Sequence, residues 1–134
     1  MPVTINGTAT LLQVFDMPAS LAFYRDILGF SVTDSSGRGD NSDWVLLKLN
    51  NAELMLNTGY EEDKRPPAPD PLRIKNHDDT AIYFGCPDVD TTCVYLISKG
   101  VTVSKPSYIT QYNWKALDLS DPDGYHLCFH WPLS

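Results

Sequence analysis

Positive charge is scarce in this chain. Ten lysines and arginines stand against seventeen aspartates and glutamates, a net charge of −7 over 134 residues. An acidic surface repels both the phosphate backbone of nucleic acids and anionic lipid headgroups, so neither is expected as a partner. Long hydrophobic runs are missing too: nothing approaches the ~18 consecutive apolar residues of a membrane span. The first ten residues carry neither the basic segment nor the apolar stretch of a secretory signal. Cysteine occurs three times, as Cys86, Cys93 and Cys128, an odd number without paired spacing. That argues against a disulfide scaffold and for a reducing, cytoplasmic location. Histidine is equally rare, with His77, His126 and His130 only. What is plentiful is ordinary core material: 43% hydrophobic and 20% charged residues, enough for one soluble domain.

Taken in order, Thr8 to Phe15 reads as an apolar strand and Asp16 as a helix N-cap, with Pro18 in the first turn. Leu21, Tyr24 and Leu28 recur at helical spacing until Gly29 stops the helix. Phe30 to Ser35 is a short strand and Ser36 to Ser42 a polar loop, within which Arg38-Gly39-Asp40 is read as loop chemistry only. Asp43 to Leu49 and Glu53 to Asn57 form a hairpin across Asn50-Asn51. From Gly59 to Asp79 the pattern breaks: Pro66, Pro67, Pro69 and Pro71 follow a run of charges, as in a linker or surface arm. A structureless stretch of that length favours a functional or inter-subunit role. His77 falls within it and is expected to be solvated.

The pattern then repeats. Thr80 to Cys86 is a strand, Asp88 an N-cap, and Val89, Cys93, Leu96 and Ile97 a helical stripe ended by Gly100. Val101 to Ser104, Asn113 to Leu119 and Tyr125 to Trp131 are strands. Asp16 corresponds to Asp88, Gly29 to Gly100 and Trp44 to Trp114, in the same order, as internal duplication requires. The chain is therefore α+β: a βαβββ module over 8–58, the prolyl stretch 59–79, and a second module over 80–131.

The last strand carries most of the chemistry. After the turn Asp121-Pro122-Asp123-Gly124, residues Tyr125, Leu127, Phe129 and Trp131 face the core, while His126, Cys128 and His130 face the other way. The same alternation puts Trp44, Leu46, Lys48, Glu53, Met55 and Asn57 of the first module on its open face. In the second it places Trp114, Ala116 and Asp118 there, with Leu11, Gln13 and Tyr83 on the leading strands. A slip of one residue would invert any of these strands.

The segment from Val14 through Asp16-Met17-Pro18 to Leu28-Gly29-Phe30 resembles the opening signature of the vicinal oxygen chelate superfamily, the glyoxalase, bleomycin-resistance and extradiol-dioxygenase group. Asp121-Pro122-Asp123-Gly124-Tyr125 resembles its closing signature. The resemblance implies two βαβββ modules whose mixed sheets curl around one cavity, within a homodimer. It also implies four metal-ligand positions in the metalloenzymes of the group. Here they fall on Ala9, on Met55 (Glu53 if the register slips by two), on Ala81 and on Cys128. Alanine and methionine offer a hard divalent ion nothing, and Cys128 is left as the single donor. The metal-free, bleomycin-resistance-like branch fits better.

The expected function is thus metal-independent binding of an amphiphilic or aromatic small molecule, without a cofactor, by Gln13, Trp44, Met55, Tyr83, Trp114, His126, Cys128 and His130. The alternative is a glyoxalase-, isomerase- or dioxygenase-like enzyme with a divalent metal relocated to Glu53, His126, Cys128 and His130. His126 and His130 stand about 13 Å apart along a strand, against metal–nitrogen bonds of about 2.0 Å. A single ion would have to be shared by adjacent residues and a second strand. Cys128 is read as a buried, inert thiol rather than a nucleophile. Trp44 and Trp114 serve either as flat walls for a ligand or as filling for the sheet junctions.

Overall fold

The computed structural model describes residues 2–60 and 64–133. It divides into two compact units, Met1–Pro67 and Ala68–Ser134.

In the first unit, β1 (Thr10–Gln13) leads to helix α1 (Met17–Leu21), which widens into a π-helical turn over Ala22–Ile27. Strands β2 (Ser31–Ser35), β3 (Trp44–Leu49) and β4 (Ala52–Asn57) follow. They form an open four-stranded sheet of order β1-β4-β3-β2, with β1 parallel to β4 and the other pairs antiparallel. The expected signals operate. The Asp16 carboxylate accepts a hydrogen bond from the Ala19 amide at 3.3 Å, Gly29 turns the chain out of the helix, and Asn50 takes the left-handed conformation of the hairpin turn. Alternation holds as well. Val45, Leu47, Leu54 and Leu56 are buried with Leu12, Leu21 and Tyr24, whereas Trp44, Leu46, Met55 and Asn57 on the opposite face are half-exposed. Arg25 donates to Asp26 and to Asp40, each at 2.8 Å, which ties the Arg38-Gly39-Asp40 loop to the helix.

In the second unit a short helix, α2 (Pro71–His77), precedes β5 (Ala81–Gly85), α3 (Val89–Ser98), β6 (Val103–Ile109), β7 (Trp114–Ser120) and β8 (His126–Pro132). Its sheet repeats the first topology, in the order β5-β8-β7-β6. Asp88 caps α3 by accepting from both the amide and the hydroxyl of Thr91. Leu117, Leu119 and Leu127 are fully buried with Leu96 and Val89 of α3, which packs on β6, β7 and β8. The turn before β8 is built on Asp121, whose buried carboxylate accepts from the amides of Asp123 and Tyr125 at 2.9 Å each.

Three expectations are corrected. The prolyl stretch is not structureless. Asp70 caps α2 by accepting from the Leu72 amide, and Pro71 occupies the first turn, where a missing N–H costs nothing. Residues 61–63 of that stretch lie outside the described residues. Next, His77 is not a solvated linker residue. Its ring stacks on Tyr125 at 4.1 Å, Nδ1–H donates to the Asp123 carbonyl at 2.7 Å, and Nε2 lies 3.3 Å from the Tyr125 hydroxyl. Finally, Trp131 is 43% exposed rather than core, because β8 outruns β5 there and its ring lies over Gly85.

Candidate functional site: an aromatic cleft on the second sheet

The site begins with a proline. Pro106 has no N–H to give a sheet ladder, so it is tolerated on an edge strand or at a bulge. Strand β6 is the edge of its sheet, and its pairing with β7 slips twice, between Val103 and Lys105 and between Lys105 and Tyr108. The bulged strand re-enters register at Tyr108, opposite Ala116. The β6–β7 turn is then fixed by Thr110, whose hydroxyl accepts from the amides of Tyr112 and Trp114 at 3.2 Å. Asn113 supplies the left-handed residue that the turn needs.

These elements enclose a cleft of about 670 Å³ on the open face of the second sheet. Its aromatic walls are Tyr83, Tyr108, Tyr112 and Trp114, with His130 between them, and Ala116, Cys128 and the hydroxyl end of Tyr108 form the floor. The His130 ring lies 4.7 Å from that of Trp114 and meets Tyr83 edge-on at 5.4 Å. Burial pushes the His130 imidazole below its usual range, so it is neutral near pH ~7 and offers one donor and one acceptor. Lys105 reaches over the Tyr108 ring, 4.0 Å from its centroid.

Asp118 follows Ala116 on the same open face of β7, opposite Cys128. Its Oδ2 accepts the Tyr108 hydroxyl at 2.8 Å, and its Oδ1 stands 3.4 Å from His126 Nε2. That Oδ1 is buried and has no hydrogen-bond partner among the described residues. Cys128 pairs with Asp118 across the strands, and burial, followed by the neighbouring carboxylate, pushes its thiol up to about 12. A thiol held protonated in this way is a poor nucleophile. Among the three cysteines only Cys86 is not buried. Native protein treated with an aromatic disulfide reagent near pH ~8 should therefore titrate Cys86 rapidly and release Cys93 and Cys128 only on unfolding. Fast modification of Cys128, located by mass spectrometry, would contradict this.

Of the residues expected to bind ligand, Tyr83, Trp114, Cys128 and His130 come together in this cleft. His126 does not line it: at the start of β8, two residues before Cys128, it stands 3.4 Å from Asp118. Gln13, Trp44 and Met55 share the open face of the first sheet, where Asn57 donates to Gln13 at 3.2 Å and Met55 pairs with Leu11 and Leu46. Tyr108 escaped the sequence reading because the strand was expected to end before Pro106. An aromatic, β-branched pair (Tyr108-Ile109) just beyond a proline was the signal of a bulged edge strand. Among the described residues no three His, Cys, Asp or Glu side chains converge as a metal site. The positions that the resemblance assigns to metal ligands are Ala9, Met55 (or Glu53), Ala81 and Cys128, and alanine and methionine offer a hard divalent cation no donor.

A profile of the Glyoxalase/Bleomycin resistance protein/Dioxygenase superfamily matches residues 5–129. The chain belongs to that superfamily. A search of curated proteins finds no match. Solved structures place its fold among varied relatives. TnmS3, an antibiotic binding protein from Streptomyces sp. CB03234, is 20% identical with a TM-score of 0.71 over 98% of both chains. TioX from Micromonospora sp. ML1 is 14% identical with a TM-score of 0.74, over 96% of this chain and 99% of its own. The lactoylglutathione lyase of Agrobacterium tumefaciens is 19% identical with a TM-score of 0.69, over 97% and 95%. At these identities the likeness is one of fold, and fold alone does not select a reaction. No helix among the described residues is long and apolar enough to cross a membrane.

Proposed function

We propose that this protein binds an amphiphilic, partly aromatic small molecule without a metal, in the cleft walled by Tyr83, Tyr108, Tyr112 and Trp114. The observation that carries this reading is the cleft itself: about 670 Å³, aromatic on its walls, with one neutral imidazole among them. That is the size and chemistry of a ligand pocket. The lack of metal-binding side chains at Ala9, Met55 and Ala81 supports the metal-free branch, and the fold shared with an antibiotic binding protein supports small-molecule binding. The working form is proposed to be a cytoplasmic homodimer, which sedimentation at equilibrium tests directly.

Binding is tested by titrating aromatic amphiphiles and following tryptophan emission. Trp114→Ala is expected to weaken binding roughly tenfold or more, the loss typical of a buried aromatic anchor. A Trp114→Ala protein that binds as the parent does would overturn the proposal. Elemental analysis of protein purified without chelator tests the metal-free part, and stoichiometric zinc or iron would refute it.

A further inference from the structure

The hydrogen-bonding sense of the cleft floor is fixed by Asp118. A phenol has one proton to give, and that of Tyr108 is committed to Asp118 Oδ2 at 2.8 Å. Burial and this carboxylate both hold the Tyr108 hydroxyl above its usual range, so the proton stays on the phenol. Cys128, the other polar group at the floor, also keeps its proton, beside the same carboxylate. What Tyr108 can still offer a ligand is a lone pair. The other carboxylate oxygen, Oδ1, is buried 3.4 Å from His126 Nε2 and offers a ligand no donor. Lys105, the one cation among the described lining residues, lies over the ring face of Tyr108 rather than at its oxygen.

We infer that Tyr108, with its proton held by Asp118, selects ligands that present an N–H or O–H donor to the cleft floor and disfavours isosteres that present only an acceptor there. Tyr108 is the contact residue and Asp118 the positioning residue. The inference rests on the binding reading above and adds the class of ligand: a planar aromatic bearing a hydrogen-bond donor on its buried edge.

Indole and benzofuran test it, since they share a ring shape and differ in carrying N–H or a ring oxygen. Each is titrated into isotope-labelled protein while the backbone amide shifts of the cleft residues are followed. The parent is expected to bind indole roughly fivefold more tightly than benzofuran, the worth of one neutral hydrogen bond. Tyr108→Phe should abolish the preference and bring the two affinities together. Asp118→Leu should free the phenol proton and shrink or invert the preference, an outcome that a purely structural role for Asp118 would not produce. If Asp118→Leu does not fold, Tyr108→Phe carries the test. Equal affinities in the parent, or a preference that survives Tyr108→Phe, overturn the inference and leave the cleft as a binding site. If neither probe binds at all, the binding reading fails with it.

Discussion

Gly124→Ala is expected to destabilise the protein by about 3 kcal/mol and to lower its melting temperature by roughly 10 °C. Two independent effects add. Gly124 sits at φ = +87°, where an L side chain is strained at a cost of about 1–3 kcal/mol. A methyl group built there would also stand 2.6 Å from the Ile74 carbonyl oxygen and 2.8 Å from its Cγ2. The near atom is the backbone of α2, so relief requires the whole helix to move, which would pull His77 off Tyr125 and Asp123. Gly7→Ala is the control. Nothing lies within 4 Å of its added methyl, so its effect should stay within about 0.5 kcal/mol. Thermal and urea melts of the two variants decide the matter, and equal stabilities would mean that α2 is not docked on this turn.

That prediction marks the boundary of what the sequence discloses. Asp16, Asp70 and Asp88 satisfy amides two or three residues away, so their roles follow from local chemistry. Alternation along β3, β4, β7 and β8 is equally local, because one face of each must be buried. The duplication then turns these local signals into a topology, and the two sheets do share one strand order. Other contacts depend on which residues distant segments bring together. Gly124 reads as a turn glycine, yet its second constraint comes from a helix fifty residues upstream in a stretch that looked structureless. Tyr108 became visible only when the edge position of β6 made Pro106 acceptable. Alternation puts Asp118 on the open face of its strand, but that it faces Tyr108, His126 and Cys128 at once depends on the register of three strands. His126 and His130 look equivalent in the sequence. Four residues of strand separate a histidine against a carboxylate from one between aromatic rings.

The two faces of β5 and β8 should respond to substitution in opposite ways. Leu127 is fully buried and pairs with Ile82 and Leu119 on the side covered by α3. Its replacement by alanine removes apolar area and leaves a cavity, a loss of about 2–5 kcal/mol. Tyr83 is 63% exposed on the other side of the sheet, opposite Cys128. Tyr83→Ala leaves no interior void, so it should change stability by less than about 1 kcal/mol. It does remove one wall of the cleft and the ring that meets His130 edge-on, so its loss should appear in ligand affinity. Leu127→Ala, assayed below its lowered melting temperature, should bind nearly as the parent does. Denaturant melts and ligand titrations on the same two proteins give four numbers, and the reading requires one large change in each row and column. If Tyr83→Ala melted as early as Leu127→Ala, the exposed aromatics would be structural. The open face would then be closed by packing rather than kept for a ligand.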